Sequence, residues 1–194
     1  MSDKIPCKEC SALILPSTGE RTGGLCMPCK NGTRKSMEAS KESYRREREL
    51  DKTCPYRALW KILCDKVHDK SNGFSELSEN EKIYFAVNIL SGEVYNGGFD
   101  QFFGNSSGEY YTYAELGLMR ISASSSLRLL RKAKQFAFGD KKVPEDQGDR
   151  WEFLKRLPDE SELDALDTEF YKDEDQLDQK LESFAIETGL VEND

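Results

Sequence analysis

Residues 55–68 read Pro-Tyr-Arg-Ala-Leu-Trp-Lys-Ile-Leu-Cys-Asp-Lys-Val-His, and within them Tyr56, Leu59, Trp60, Leu63, Cys64 and Val67 recur at i, i+3, i+4, i+7, i+8 and i+11. That is the period of one apolar face of an α-helix. Pro55 suits a first helical position, where its missing N–H removes no hydrogen bond. Downstream, Ser78 with Glu81 three residues on forms a capping box, and the helix it opens carries Tyr84, Phe85, Val87 and Leu90 inward until Gly92. Further helices are expected from about Tyr110 to Arg120 and from about Ala123 to Phe138, the second carrying Leu127, Leu130, Ala133, Lys134 and Phe138 and ending at Gly139. After a loop over 140–149 come a short helix bearing Trp151 and Leu154, a stop at Pro158, and two acidic helices. The first of these packs Leu163, Leu166 and Phe170, the second Leu177, Leu181 and Phe184. Strand signals are weak, so residues 53–190 read as an irregular multi-helix all-α domain.

Upstream the chain changes character. Cys7, Cys10, Cys26 and Cys29 form two C-x2-C pairs with 15 residues between them, the spacing that sets four thiolates around one zinc ion. Ala12 to Leu15 is strand-like, Pro16-Ser17-Thr18-Gly19 turns the chain, and Gly23-Gly24 precedes Cys26, so residues 1–32 read as a zinc ribbon, a β-hairpin with two zinc knuckles. Two redox or disulfide pairs are the other reading. About 30 residues bury too little apolar surface to fold alone, so metal binding and folding are expected to be one event. Four thiolate ligands close the shell, which makes the site structural rather than catalytic.

Residues 33–52 are almost wholly polar, with Met37, Tyr44 and Leu50 as their large apolar members, and read as a charged helical linker. Its Arg45-Arg46-x-Arg48 cluster is interrupted by Glu47 and Glu49, which favours a solvated face over a phosphate site. Cys54 and Cys64 lack zinc spacing and are expected as core thiols. The 194 residues contain no apolar run long enough to span a bilayer, and Met1 to Pro6 lacks a signal peptide's apolar stretch, so a cytoplasmic location is expected. His68 is the only histidine and has no Cys or Ser at triad spacing; no Walker loop, dinucleotide glycine pattern or metal-carboxylate motif is present, which argues against an enzyme.

The formal charge of −8 is unevenly spread: residues 1–142 hold 23 Lys+Arg against 18 Asp+Glu, and residues 143–194 hold 5 against 18, so the last quarter carries −13. A nucleic-acid binder would show the reverse on its main domain, and the expected partner of this region is basic.

Residues 96–108, Asn-Gly-Gly-Phe-Asp-Gln-Phe-Phe-Gly-Asn-Ser-Ser-Gly, place two turns able to take positive φ on either side of a short aromatic helix. As structure, Phe99, Phe102 and Phe103 fill the core while Asn105 and Ser106 cap the next helix. As chemistry, Asn96, Asp100, Gln101 and Asn105 line a polar pocket. No nearby His, Cys or second carboxylate completes an acid–base pair, which favours structure. The segment, through Asn96, Gly97, Gly98, Phe99, Gln101, Asn105, Ser106 and Gly108, resembles the signature of a bacterial family of DNA-mimic proteins long catalogued as a domain of unknown function. The closing pair of Leu-rich acidic helices is similar too, so the resemblance covers about residues 53–188. It implies an all-α domain, commonly dimeric, that presents carboxylates to a DNA-binding protein and keeps it off DNA. The cysteine segment lies outside and looks like short ribbons attached to bacterial immunity and defence-associated proteins.

Glu174, Asp178 and Glu182 fall at i, i+4 and i+8, about 6 Å apart along one helix face. Duplex DNA carries one charge per ~1.7 Å of axis, so one such stripe is too sparse. Asp159, Glu160, Asp164, Asp167 and Glu169 offer a second, as would a homodimer partner. An ordinary solvated acidic surface is the competing reading. The expectation is a non-enzymatic inhibitor or immunity protein for a basic partner such as a DNA-binding regulator or a nuclease toxin. In the alternative, the ribbon contacts nucleic acid through Lys4, Lys8, Arg21, Lys30, Arg34 and Lys35, and the helical domain serves dimerisation.

Overall fold

Ile5 and Pro6 form a two-residue strand, β1, that pairs antiparallel with β2, Leu13–Ile14, in the register Ile5 with Ile14 and Pro6 with Leu13. This is a computed structural model, and it describes residues 3–68, 73–157 and 162–192. The hairpin therefore encloses the first cysteine pair instead of lying between the two pairs. Its tip is closed by Cys7 N–H to Ala12 O at 2.9 Å, with Ser11 at φ +60. The expected turn at Pro16 to Gly19 is instead a helix, α1, Pro16–Thr22. Proline supplies the right φ at its first position, and Gly23 in the left-handed conformation ends it. α2, Met27–Lys30, opens after Cys26 and carries Cys29. α3, Arg34–Thr53, has no buried residue along its 20 positions and is laced by Glu42–Arg45 and Glu49–Lys52 ion pairs.

The chain divides into two compact units, Met1–Cys54 and Pro55–Asp194. The apolar cluster of the first is made of the cysteines themselves with Ile14 and Leu25. The second is all-helical. α4, Pro55–His68, buries Leu59 and Leu63 and leaves His68 exposed. α5, Glu79–Gly104, is the central element, flanked by a 3-10 turn over Ser106–Tyr110 and by α6, Tyr111–Arg120. α7, Ser124–Phe138, α8, Gln147–Leu154, α9, Glu162–Phe170, and α10, Leu177–Glu187, complete it. α5 buries residues on all its faces, from Ile83 to Phe103, because α6, α8, α9, α10 and the 3-10 turn all pack on it. α5 does not end at Gly92, whose missing side chain faces open space; it continues to Gly104 and breaks at Gly97 (φ −162, ψ 26) and Gly98 (φ 78, ψ −178).

Cys54 and Cys64 are half-buried, Cys64 against the main core, where burial first and the Asp65 charge second push its thiol up. The expected stop at Pro158 lies outside the described residues. Among the described residues no helix is long and apolar enough to cross a membrane.

Candidate metal centre and partner surface

The four sulfurs of Cys7, Cys10, Cys26 and Cys29 lie within 4.8 Å of one another. Cys10 Sγ and Cys26 Sγ are 3.6 Å apart, far beyond the ~2.05 Å of a disulfide and close to the ~3.8 Å edge of a tetrahedron with metal–sulfur bonds of ~2.3 Å. All four are free thiols. The hairpin tip delivers the first pair, and the start of α2 the second, Cys26 as the residue before the helix and Cys29 within it. Backbone joins the two halves: Cys26 N–H donates to Cys7 Sγ at 3.1 Å and Lys8 N–H to Gly24 O at 3.0 Å.

Burial alone would raise the Cys7 thiol, but backbone N–H groups of Cys10, Cys26 and Glu9 outweigh it and bring it down to about 6. Cys29 goes the other way, to about 12, from burial first and the neighbouring Cys26 sulfur next. Crowded sulfurs cannot all ionise without a cation among them. The set can therefore bind a metal ion, and a second feature fits an anionic centre. Arg34 Nη2 donates to Cys26 Sγ at 2.9 Å, while its Nε is buried with no hydrogen-bond partner. Its bonds to Cys26 and Cys29 hold the guanidinium above its ordinary range. Arg34 thus points at sulfur, where the sequence had suggested a phosphate contact; its place eight residues after Cys26 gave no signal of this.

The polar residues of 96–108 build backbone, not a pocket. At Gly98 an added Cβ would sit 2.1 Å from Asp167 Oδ2. Asp167 Oδ1 accepts the Phe99 N–H at 2.8 Å, so this carboxylate caps the second half of α5, while Tyr171 O–H donates to Val94 O at 3.1 Å on the other side of the break. Glu93 Oε2 accepts from Gln101 Nε2 at 2.6 Å and Asn105 Nδ2 at 3.0 Å, and a Cβ at Gly97 would meet Gln101 Oε1 at 2.3 Å. Asn105 makes no side-chain cap for the turn that follows, and Ser106 is exposed, so the expected capping pair is not one. Asn96 and Asp100 are exposed as well. Gly108 leaves room for Arg150: a Cβ there would lie 2.5 Å from Arg150 Nε. Arg150, 1% exposed, donates to the carbonyls of Phe103, Asn105, Pro144 and Glu145 at 2.7, 2.8, 2.9 and 2.7 Å. Nothing in the spacing announced Arg150 or Glu93 as the partners of this segment. A cavity of about 640 Å³ beside the 3-10 turn is lined by Gly108 but by none of Asn96, Asp100, Gln101 or Asn105.

The acidic helices divide into inward and outward carboxylates. Asp167 leaves the expected surface set because it is buried; burial raises its carboxyl, the Phe99 N–H lowers it, and the Asp164 and Asp100 charges raise it further. Glu174 is not on a helix stripe: Gln176 takes a left-handed conformation and α10 begins only at Leu177. Glu174 accepts from Ser125 Oγ at 2.7 Å, Asp175 from Ser126 N–H at 2.7 Å and Asp173 from Leu177 N–H at 2.9 Å, so three successive acids fasten the starts of α7 and α10. Glu169 pairs with Lys172. Asp164, Asp178 and Glu182 remain exposed and, among the described residues, outside any ion pair. Asp159 and Glu160 lie outside the described residues. Tyr95 and Tyr171 stack with centroids 5.6 Å apart and are 49% and 46% exposed; the Asp178 charge acts on Tyr95 and the Asp164 charge on Tyr171.

Neither the curated proteins nor the solved structures contain a match to this sequence. Residues 75–188 match the profile of the family described as DMP19-like protein, a range narrower at its start than the resemblance and consistent with the DNA-mimic reading. That match takes in every element from α5 to α10 and more than half of the chain, and the chain therefore belongs to the DMP19-like protein family.

Proposed function

We propose that this protein is a non-enzymatic inhibitor, a DNA mimic or an immunity partner, that engages a basic nucleic-acid-handling protein through the acidic face of its helical unit. The observation that carries this reading is the exposed pair Asp164 and Asp178 beside the exposed Tyr95–Tyr171 stack, with Glu182 exposed one turn further along α10. Carboxylates without a partner attract cations, and stacked aromatic rings give an arginine a flat surface to lie on. Asp178 and Glu182 stand ~6 Å apart along α10, so the stripe alone is sparser than DNA phosphate, and a second copy of the chain would add the missing charge. The N-terminal unit is a structural zinc ribbon in this reading: Cys7, Cys10, Cys26 and Cys29 would hold Zn2+, which supplies the cross-links that a core this small lacks.

The test is affinity capture from the native host with the full chain, compared with Asp164→Asn/Asp178→Asn/Glu182→Gln. The expected outcome is one basic protein that co-elutes with the wild type, is lost as salt rises, and is lost with the variant while its thermal midpoint is kept. Gel-shift titration with duplex and single-stranded nucleic acid decides the alternative. Salt-sensitive retardation at about micromolar protein, abolished by neutralising Arg21 and Lys35, would overturn the lead reading.

A further inference from the structure

α3 begins against its own electrostatics. Its first turn holds Arg34 and Lys35 and no acid, whereas the N-terminal end of a helix favours negative charge. None of its 20 residues is fully buried, so no apolar face packed on a core secures its start either. Arg34 resolves this by turning back onto Cys26 Sγ, 2.9 Å away, with Nε buried and unpartnered. Among the described residues no carboxylate comes within ion-pair distance of it. A guanidinium desolvated in this way is tolerated only where negative charge compensates it. Four thiolates on a divalent ion supply that charge, since the complex is formally dianionic.

We propose that Arg34 is a positioning residue of the metal centre, holding Cys26 by a charge-assisted N–H to sulfur bond and thereby fastening the first turn of α3 to the ion. The inference rests on the zinc reading above. Outer-shell donors to metal ligands tune affinity by 10- to 100-fold. Lysine at this position would keep the charge but lose the planar fork that reaches sulfur from beside the helix start.

The experiment uses the full chain as wild type, Arg34→Gln and Arg34→Lys, with Zn2+ as the probe. Zinc affinity is read by competition with a chromogenic chelator, the sulfur environment by the thiolate-to-metal charge-transfer band after Co2+ substitution, and the helix start by amide exchange over residues 35–38. Arg34→Gln is expected to weaken zinc 10- to 100-fold, to move the band to lower energy because the sulfur loses a hydrogen bond, and to speed exchange at the start of α3; Arg34→Lys recovers part of the affinity. Wild-type affinity and an unmoved band in Arg34→Gln overturn this inference alone. A wild-type chain that takes up no zinc overturns it together with the zinc reading.

Discussion

Gly98 has φ 78 and ψ −178, a conformation that only glycine adopts without strain, and an added methyl would collide with Asp167 Oδ2 at 2.1 Å. Gly98→Ala is expected to lower the unfolding free energy of the helical unit by about 3 kcal/mol or more, measured by urea denaturation. Asp167 itself gives a pH signature. Its folded-state pKa lies above the ordinary 3.8, so the folded chain holds the proton more tightly than the unfolded one. Stability from this group is therefore greatest in acid and declines as pH rises through the folded-state value. Asp167→Asn removes that component, and the gap between variant and wild type should shift toward the variant as pH rises above about 4; a gap that does not change with pH would contradict the assignment. The glycines were legible in the sequence as turn formers, and one of the two does take positive φ. Their partners were not, because Asp167 lies 68 residues from Phe99 and shares a period with the outward acids of its helix.

Helix periodicity made most elements readable: α4, α6 and α7 fall within a residue or so of the expected spans. The start of α5 is also as written in the sequence, with Ser78 accepting the Glu81 N–H and Glu81 accepting the Ser78 N–H at 2.8 Å. Burial would raise the Glu81 carboxyl, but Lys66 and Ser78 outweigh it and hold it below 4.5. Its stabilising contribution is present above the unfolded value and lost as pH falls through the folded one. Glu81→Gln should cost about 0.5–1 kcal/mol near neutral pH, with the difference closing in acid, as followed by thermal melts across pH. What periodicity could not give was where helices stop. Gly92 has the residue type of a terminator but no steric demand, whereas Gly97 and Gly98 are forced by groups from α9 and from the next turn of α5 itself. The acids at 173–175 read as surface because their hydrogen-bond partners, the first turn of α7 and the start of α10, are set by tertiary packing and topology. α1 escaped for a simpler reason: Pro-Ser-Thr-Gly is turn chemistry locally, yet Pro16 equally suits a first helical position and the stop comes only at Gly23.

On the scale of the whole molecule, the two apolar clusters share no residue. Chelation of zinc, or Cys10→Ser, is therefore expected to abolish amide protection over about residues 5–30 while leaving protection along α5 unchanged, with one zinc per chain released. Elemental analysis that finds no zinc in chelator-free protein would contradict this. The cysteine spacing made that first unit legible as chemistry, while the place of its hairpin, around the first cysteine pair, was not, because two-residue strands carry almost no pattern. The helical unit has its own long-range fastening in Arg150. Its guanidinium closes a loop from Phe103 to residue 150 on carbonyls 45 and 47 positions upstream, and it must shed its water to do so. Phe103, Asn105, Pro144 and Glu145 all lend their carbonyls to this one guanidinium, so its loss would leave acceptors at the end of α5 and in the segment before α8 without their donor at once. The helical unit is in that sense latched: one buried cation ties the end of α5 to the segment that leads into α8, and any opening between them must bring that charge back to water or leave it unpaired.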